Sequence, residues 1–239
     1  MMLGTALVTG ATKRIGRALT LQLADMGYNI ALHYNFIGSD ARKLMFEVEE
    51  RGVQCELFRT NFLNEEETES LIGHVAEKFD DVSLLVNNAS IFQQGRFLET
   101  DTALFNSHFD INFKAPFILT RDFAREFKSG QVITILDTKI AHNDGAHFAY
   151  TLSKKVLGEF TKMAAKQLAP DIRINAIAPG FILPPAGHED DSEYIKQLEQ
   201  LIPLKTKGDL KDIINALEYL IENPYLTGQI LYIDGGKNL

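Results

Sequence analysis

The chain is poor in anything that could staple it together or tie it to a metal, a membrane or a nucleic acid. Among 239 residues there is one cysteine, Cys55, which rules out an intrachain disulfide and leaves no cysteine pair for a zinc site. The 6 histidines fall at no spacing that metal ligands use, and tryptophan is absent. No apolar run approaches the roughly 20 residues that a membrane-spanning helix requires. The 24 Lys and Arg residues form no basic stripe, and against 32 acidic residues they leave a net charge of −8 that disfavours nucleic-acid binding. What is there is ordinary: 45% hydrophobic and 23% charged residues, the balance of a globular chain that can bury a core.

Seven short apolar runs, at residues 3–9, 29–34, 54–59, 83–86, 131–136, 172–177 and 229–233, read as strands. Between them lie segments of helical periodicity at roughly 15–27, 39–51, 64–79, 101–128, 147–168 and 209–222. Strict alternation of this kind predicts parallel strands joined by right-handed crossovers, with helices on both faces. The runs are nearly continuous in Val, Ile and Leu, as strands covered on both sides should be. No linker, repeat or low-complexity tract divides them, so residues 1–239 are expected to form a single α/β, doubly wound domain. The first strand runs straight into a glycine-bearing loop, which leaves no room for a signal peptide and sets the expectation of a cytoplasmic protein. After Pro179-Gly180 the rhythm breaks in a Pro-, Gly- and acid-rich stretch, 181–191, followed by a short helical segment at 192–201. Together, about 180–202, these form either a lid over a ligand or a solvated loop. The carboxyl edge of an open α/β sheet favours the lid.

Four places carry candidate chemistry. Thr9-Gly10-Ala11-Thr12-Lys13-Arg14-Ile15-Gly16 follows the first strand and opens a helix, a context in which glycine lets the backbone approach a pyrophosphate and the helix terminus favours its charge. Arg14 stands where the usual three-glycine pattern has its middle glycine. The second strand ends in His33-Tyr34-Asn35-Phe36, with nothing acidic until Asp40; a missing carboxylate plus the Arg14 guanidinium favours a 2′-phosphate and hence NADP. Asn87-Asn88-Ala89-Ser90 closes the fourth strand, as a turn that could also let a cofactor lie close. Tyr150 and Lys154, four apart, share a helix face, and Asp137 precedes Tyr150 by thirteen residues at the end of a strand. A nearby ammonium is expected to lower the tyrosine pKa toward working pH and so make it a usable acid/base.

Taken in order, Thr9-Gly10…Gly16, Asn87-Asn88-Ala89, Asn112, Tyr150-x-x-x-Lys154, Pro179-Gly180 and Asp234-Gly235-Gly236 resemble the short-chain dehydrogenase/reductase family over essentially the whole chain. That resemblance implies a Rossmann-type sheet of seven parallel strands, a bound NADPH/NADP, and assembly as a homotetramer. It places Asn112, Tyr150 and Lys154, with Asp137, in the catalytic set. For the cofactor it implies Gly10, Arg14, Ile15, Gly16, His33, Tyr34, Asn35, Asn61, Phe62, Asn88, Ala89, Ser90, Tyr150, Lys154, Pro179 and Gly180. Lys154 would also hold the nicotinamide ribose, and Asn112 would help support a proton-relay water.

Most members carry serine thirteen residues before the tyrosine; here that position is Asp137. A carboxylate would repel a developing alkoxide and suits a substrate with basic ring nitrogens. Together with the Lys13-Arg14 loop, Leu32-His33-Tyr34 and the Ser90-Ile91-Phe92 segment, this resembles the pteridine reductase branch, which includes dihydromonapterin and dihydrofolate reductases. By that resemblance the substrate, a pterin or folate, meets Arg14, Ser90, Phe92, Asp137 and Tyr150, with the Phe92 ring stacked on it. Phe36 stands where relatives carry an arginine for the 2′-phosphate, leaving that task to Arg14 with Asn35 or Ser39, and Asn61 replaces an aspartate near the adenine. The rival readings are a carbonyl reductase acting on a ketone, sugar or acyl substrate, and a non-catalytic NADP(H)-binding protein.

Overall fold

The computed structural model describes residues 3–36, 39–143, 145–184 and 191–239. The strands and helices alternate as β1 (Thr5–Val8), α1 (Arg14–Asp25), β2 (Asn29–Tyr34), α2 (Ser39–Glu49), β3 (Cys55–Arg59), α3 (Glu65–Ala76) and β4 (Val82–Asn87). Next come α4 (Thr102–Phe109), α5 (Ala115–Glu126), β5 (Gly130–Ile135), α6 (Phe148–Leu168) and β6 (Ile172–Pro179). The chain ends with α7 (Ser192–Gln200), α8 (Leu210–Glu222) and β7 (Ile230–Ile233). All seven strands lie in one sheet in the order β3-β2-β1-β4-β5-β6-β7, and each pairs in parallel with its neighbour.

Strand alternation divides the core into two layers. Ala6, Val8, Ile30 and Leu32 face α1, α2 and α8, where they meet Leu19, Leu23, Leu44, Ile213 and Leu217. Leu7, Ala31 and Leu85 point the other way, onto Leu71, Leu119, Phe123 and Ala165 of α3, α5 and α6. Because successive side chains of a strand leave opposite faces, a strand apolar at every position needs a helical layer on each side. Strand order reverses between β1, which continues to β2, and β4, which continues to β5. The crevice beyond the carboxyl ends of β1 and β4 is therefore where this architecture leaves room for a ligand.

The stretch expected as one helix at 101–128 is instead α4, a widened π turn at Asp110–Lys114, and α5. Pro116 in the first turn of α5 explains the break. It has no N–H, and its ring crowds the carbonyl four residues back, that of Asn112, so the regular ladder cannot run through. The extra residue turns Asn112 fully inward. The Phe181–Leu183 and 192–201 parts of the expected lid are described, α7 with no buried residue. Pro185 to Asp190 lie outside the described residues. None of the described helices is long and apolar enough to cross a membrane.

Candidate active site

A cleft of about 680 Å³ opens at that crevice and runs from the end of β2 to the start of α6. Its two ends are built differently.

At the first end the backbone does the building. Gly10 has φ +62° and lies so near the next loop that a Cβ there would meet the Ala89 Cα at 2.9 Å. Asn88 ties the same loops together, donating from Nδ2 to the Thr9 and Gly10 carbonyls at 2.9 and 3.1 Å. The Thr9 hydroxyl oxygen accepts the Asn88 and Ala89 N–H groups. His33 fastens the loop from the other side: its Nδ1 accepts the Gly10 N–H at 3.1 Å, and its Nε2–H donates to the Thr60 carbonyl at 3.1 Å. Stacked on Phe62 with ring centroids 4.3 Å apart, this imidazole is buried, and desolvation drives its pKa down to about 4. It is thus a neutral structural tether whose ring nitrogens are spent on the fold.

The start of α1 has no side-chain cap, whereas α3, α4 and α8 are capped by Asn64, Asp101 and Asp209. Its first-turn N–H groups face the cleft with nothing acidic among them, a ready site for a phosphate. The residues present thus fit a dinucleotide, with the close Gly10–Ala89 approach making space for its pyrophosphate. Arg14 keeps the left-handed backbone, φ +51°, that the missing middle glycine would have taken without strain. Its guanidinium donates to Pro184 O at 2.9 Å. Lys13 lies 3.5 Å from Asp40, and Asn35 and Phe36 line the same cleft. Lys13 therefore joins Arg14 as a cation at the cleft that a 2′-phosphate could meet. The Lys13-Arg14 doublet was visible in the sequence, but where each of the two side chains points depends on the twist of the loop.

At the second end side chains predominate. Tyr150 Oη donates to Asp137 Oδ2 at 2.7 Å, and Asp137 Oδ1 accepts the Lys139 N–H at 2.7 Å, so the carboxylate cannot rotate. Lys154, buried one turn beyond Tyr150, donates from Nζ to the Ile135 carbonyl at 2.8 Å. The expected lowering of the tyrosine pKa by an ammonium does not hold here. Burial, then the Asp137 charge and its hydrogen bond, push Tyr150 well above its usual value. Burial meanwhile draws Lys154 down to about 8, partly opposed by Asp137. In this arrangement Tyr150 is a phenol holding its proton.

Phe92 lies over the same end, half exposed, with one face stacked on His147 at 4.2 Å and its ring edge-on to Tyr150 at 4.6 Å. Ser90, Ala89, Ile15, Gly16, Tyr34, Phe62, Pro179 and Gly180 also line the cleft. Asn61 and Asn112 do not. Asn61 turns its amide oxygen to the Leu63 N–H. The Asn112 amide is spent within the protein: Oδ1 accepts from Ile91 N and Ser90 Oγ, and Nδ2 donates to Ile91 O and Ser153 Oγ. Its side chain therefore pins the loop after β4 and has no hydrogen left for a relay water. Asp234 buttresses the far side, accepting from Thr138 Oγ1, next to Asp137, and from Gly236 N.

A family profile described as enoyl-(acyl carrier protein) reductase matches residues 10–238. The 3-oxoacyl-[acyl-carrier-protein] reductase FabG of Staphylococcus epidermidis is 32% identical, over 97% of this chain and 98% of that one. FolM alternative dihydrofolate reductase 1 from Brucella canis, solved with NADP, superposes with a TM-score of 0.91 at 31% identity, covering 99% of this chain and 94% of that one. Acetoin dehydrogenase from Enterobacter cloacae follows at TM-score 0.89 and 28% identity, covering 99% and 96%. The chain belongs to the short-chain dehydrogenase/reductase family. It is an oxidoreductase of a family that binds a nicotinamide cofactor.

Proposed function

We propose that the chain is an NADPH-dependent reductase of a pterin, either an unconjugated dihydropterin such as dihydromonapterin, or dihydrofolate. The observation that carries this reading is the Asp137–Tyr150 pair beneath the half-exposed Phe92. A fixed carboxylate beside the proton donor disfavours an alkoxide forming there, yet accepts N–H groups of a nitrogen heterocycle. An aromatic face suits a flat ring lying on it.

When bound, the cofactor supplies the hydride. Gly10, Gly16 and the uncapped start of α1 hold its pyrophosphate, and Lys13 and Arg14, with Asn35, meet its 2′-phosphate. Tyr150 delivers its phenolic proton to a ring nitrogen of the substrate while the adjacent carbon takes the hydride, so a C=N bond becomes CH–NH. Lys154 offsets the charge left on the phenolate, and Asp137 holds both the Tyr150 hydroxyl and the substrate in register. A homotetramer is proposed as the assembly; Phe117, Met163 and Tyr225 are among the exposed apolar side chains it could cover.

A carbonyl reductase is the second reading, supported by the FabG likeness. NADPH oxidation followed at 340 nm with dihydromonapterin, dihydrofolate and a diketone in parallel, and NADH as control, separates the two. Turnover of a pterin is expected; turnover of the diketone alone would sink the proposal. Asp137→Ser is expected to lower pterin turnover by at least about 10²-fold, and equal activity would remove the reason for preferring pterins.

A further inference from the structure

We infer that His108 is a positioning residue that fixes Phe92 as one wall of the substrate site, an inference that rests on the reading of Phe92 given above. His108 lies in the last turn of α4 and is completely buried, with both ring nitrogens committed to backbone. Its Nε2 accepts the Gln93 N–H at 3.2 Å, so its Nδ1 carries the proton and donates to Leu104 O at 2.9 Å. A leucine would fill such a site without the cost of burying an imidazole. What the imidazole adds is an acceptor placed under the residue that follows Phe92.

The residue before Phe92 is held just as firmly. Ile91 has its N–H and its carbonyl bound by the one amide of Asn112, at 2.9 and 3.0 Å. Two residues beyond Gln93, Gly95 forms an isolated bridge with His147 at the start of α6, its N–H to Ala146 O and its carbonyl to Phe148 N. Phe92 thus sits between two clamped neighbours, both clamped from the α4–π turn junction. The Phe92 ring meets Tyr150 edge-on, and the His108 ring meets the same tyrosine edge-on at 6.2 Å. His108 therefore touches both sides of the gap, holding the residue after Phe92 and setting its own ring edge-on to the proton donor. A Phe92 ring so held meets a planar substrate without first losing side-chain freedom, which lowers the substrate's KM and leaves proton transfer as it was.

The test is a series of His108→Leu, His108→Gln, Phe92→Ala and the Leu/Ala double variant, with KM for substrate and for NADPH, the pH profile of kcat, and Tm. Leaving the Gln93 N–H unpaired is expected to raise substrate KM about tenfold in His108→Leu, with NADPH KM and the pH profile unchanged. Glutamine, whose Oε1 can reach the same N–H, should restore KM to within about threefold. In the Phe92→Ala background, His108→Leu should add less than about twofold, because the two act through one wall. A full tenfold effect persisting without Phe92 would overturn the inference. So would a rise in NADPH KM and a fall in Tm in step with substrate KM, no effect of His108→Leu at all, or a glutamine variant as impaired as leucine. If the wild type turns over only the diketone, the pterin reading has failed; the same series measured on the diketone then decides the role of His108 by the same criteria.

Discussion

The two ends of the cleft solve different problems with different materials. Around Gly10 nearly every contact is made by backbone or directed at backbone: Asn88 to Thr9 and Gly10 carbonyls, His33 to the Gly10 N–H, and the close approach of Ala89. Around Tyr150 the decisive groups are a phenol, a carboxylate and an ammonium, set at hydrogen-bond distance or one helical turn. The first end has to present a shape and a row of N–H groups, so it depends on backbone conformation. The second has to hold a proton at one atom, so it depends on charge and desolvation. Changes at the first should therefore appear in cofactor affinity and stability, and changes to the proton-bearing groups of the second in turnover.

The largest expected effect lies at the second end. Tyr150→Phe keeps the ring packed against Phe92 and removes the proton, and kcat should fall by about 10²–10⁴-fold with Tm nearly unchanged. A comparable loss of Tm, or near-normal turnover, would break the division between the two ends. Gly10→Ala probes the other end. The left-handed backbone alone costs about 1–2 kcal/mol, and the added Cβ also displaces Ala89. A fall in Tm of about 2–8 °C by calorimetry and a raised KM for NADPH are expected, with kcat at saturating cofactor preserved.

The smallest effect sharpens the role of His33. Its pKa is about 4 in the fold and near 6.5 when unfolded, so the unfolded chain takes up a proton that the folded one refuses. Its contribution to stability is complete above about pH 6.5 and is lost as pH falls toward 4, with about 2 kcal/mol gone at pH 5. Urea unfolding of wild type and His33→Gln at pH 7 and pH 5 measures this. The variant should be less sensitive to the change by that amount, and equal sensitivity would mean that His33 is not the group responsible.

Much of this was legible in the sequence because it depends on local pattern. Strand and helix order followed from apolar periodicity, with boundaries a few residues off where frayed ends and caps decide. The expected strand at residues 3–9 is β1 at Thr5–Val8, and the expected helix at 64–79 is α3, which begins only after the Asn64 cap. The single helix expected at 101–128 was the exception. Pro116 was in plain view, but whether a proline kinks, stops or merely widens a helix depends on what the displaced carbonyl and Asn112 find to pack against.

Which residues would meet was determined by the chain itself wherever one helix or one turn joins them: Tyr150 with Lys154, and Gly10 with Gly16. Contacts across loops were decided by tertiary structure alone. Arg14 turned to Pro184 and left Lys13 facing Asp40; Asn112 spent its amide on Ile91; His108, a lone histidine with no motif around it, came to lie under Gln93. The direction of the Tyr150 pKa was decided there too. Sequence spacing supplies the ammonium one turn away, but the depth of burial and the aim of the Asp137 carboxylate exist only once seven strands and their helices have closed around them, and desolvation is the larger force.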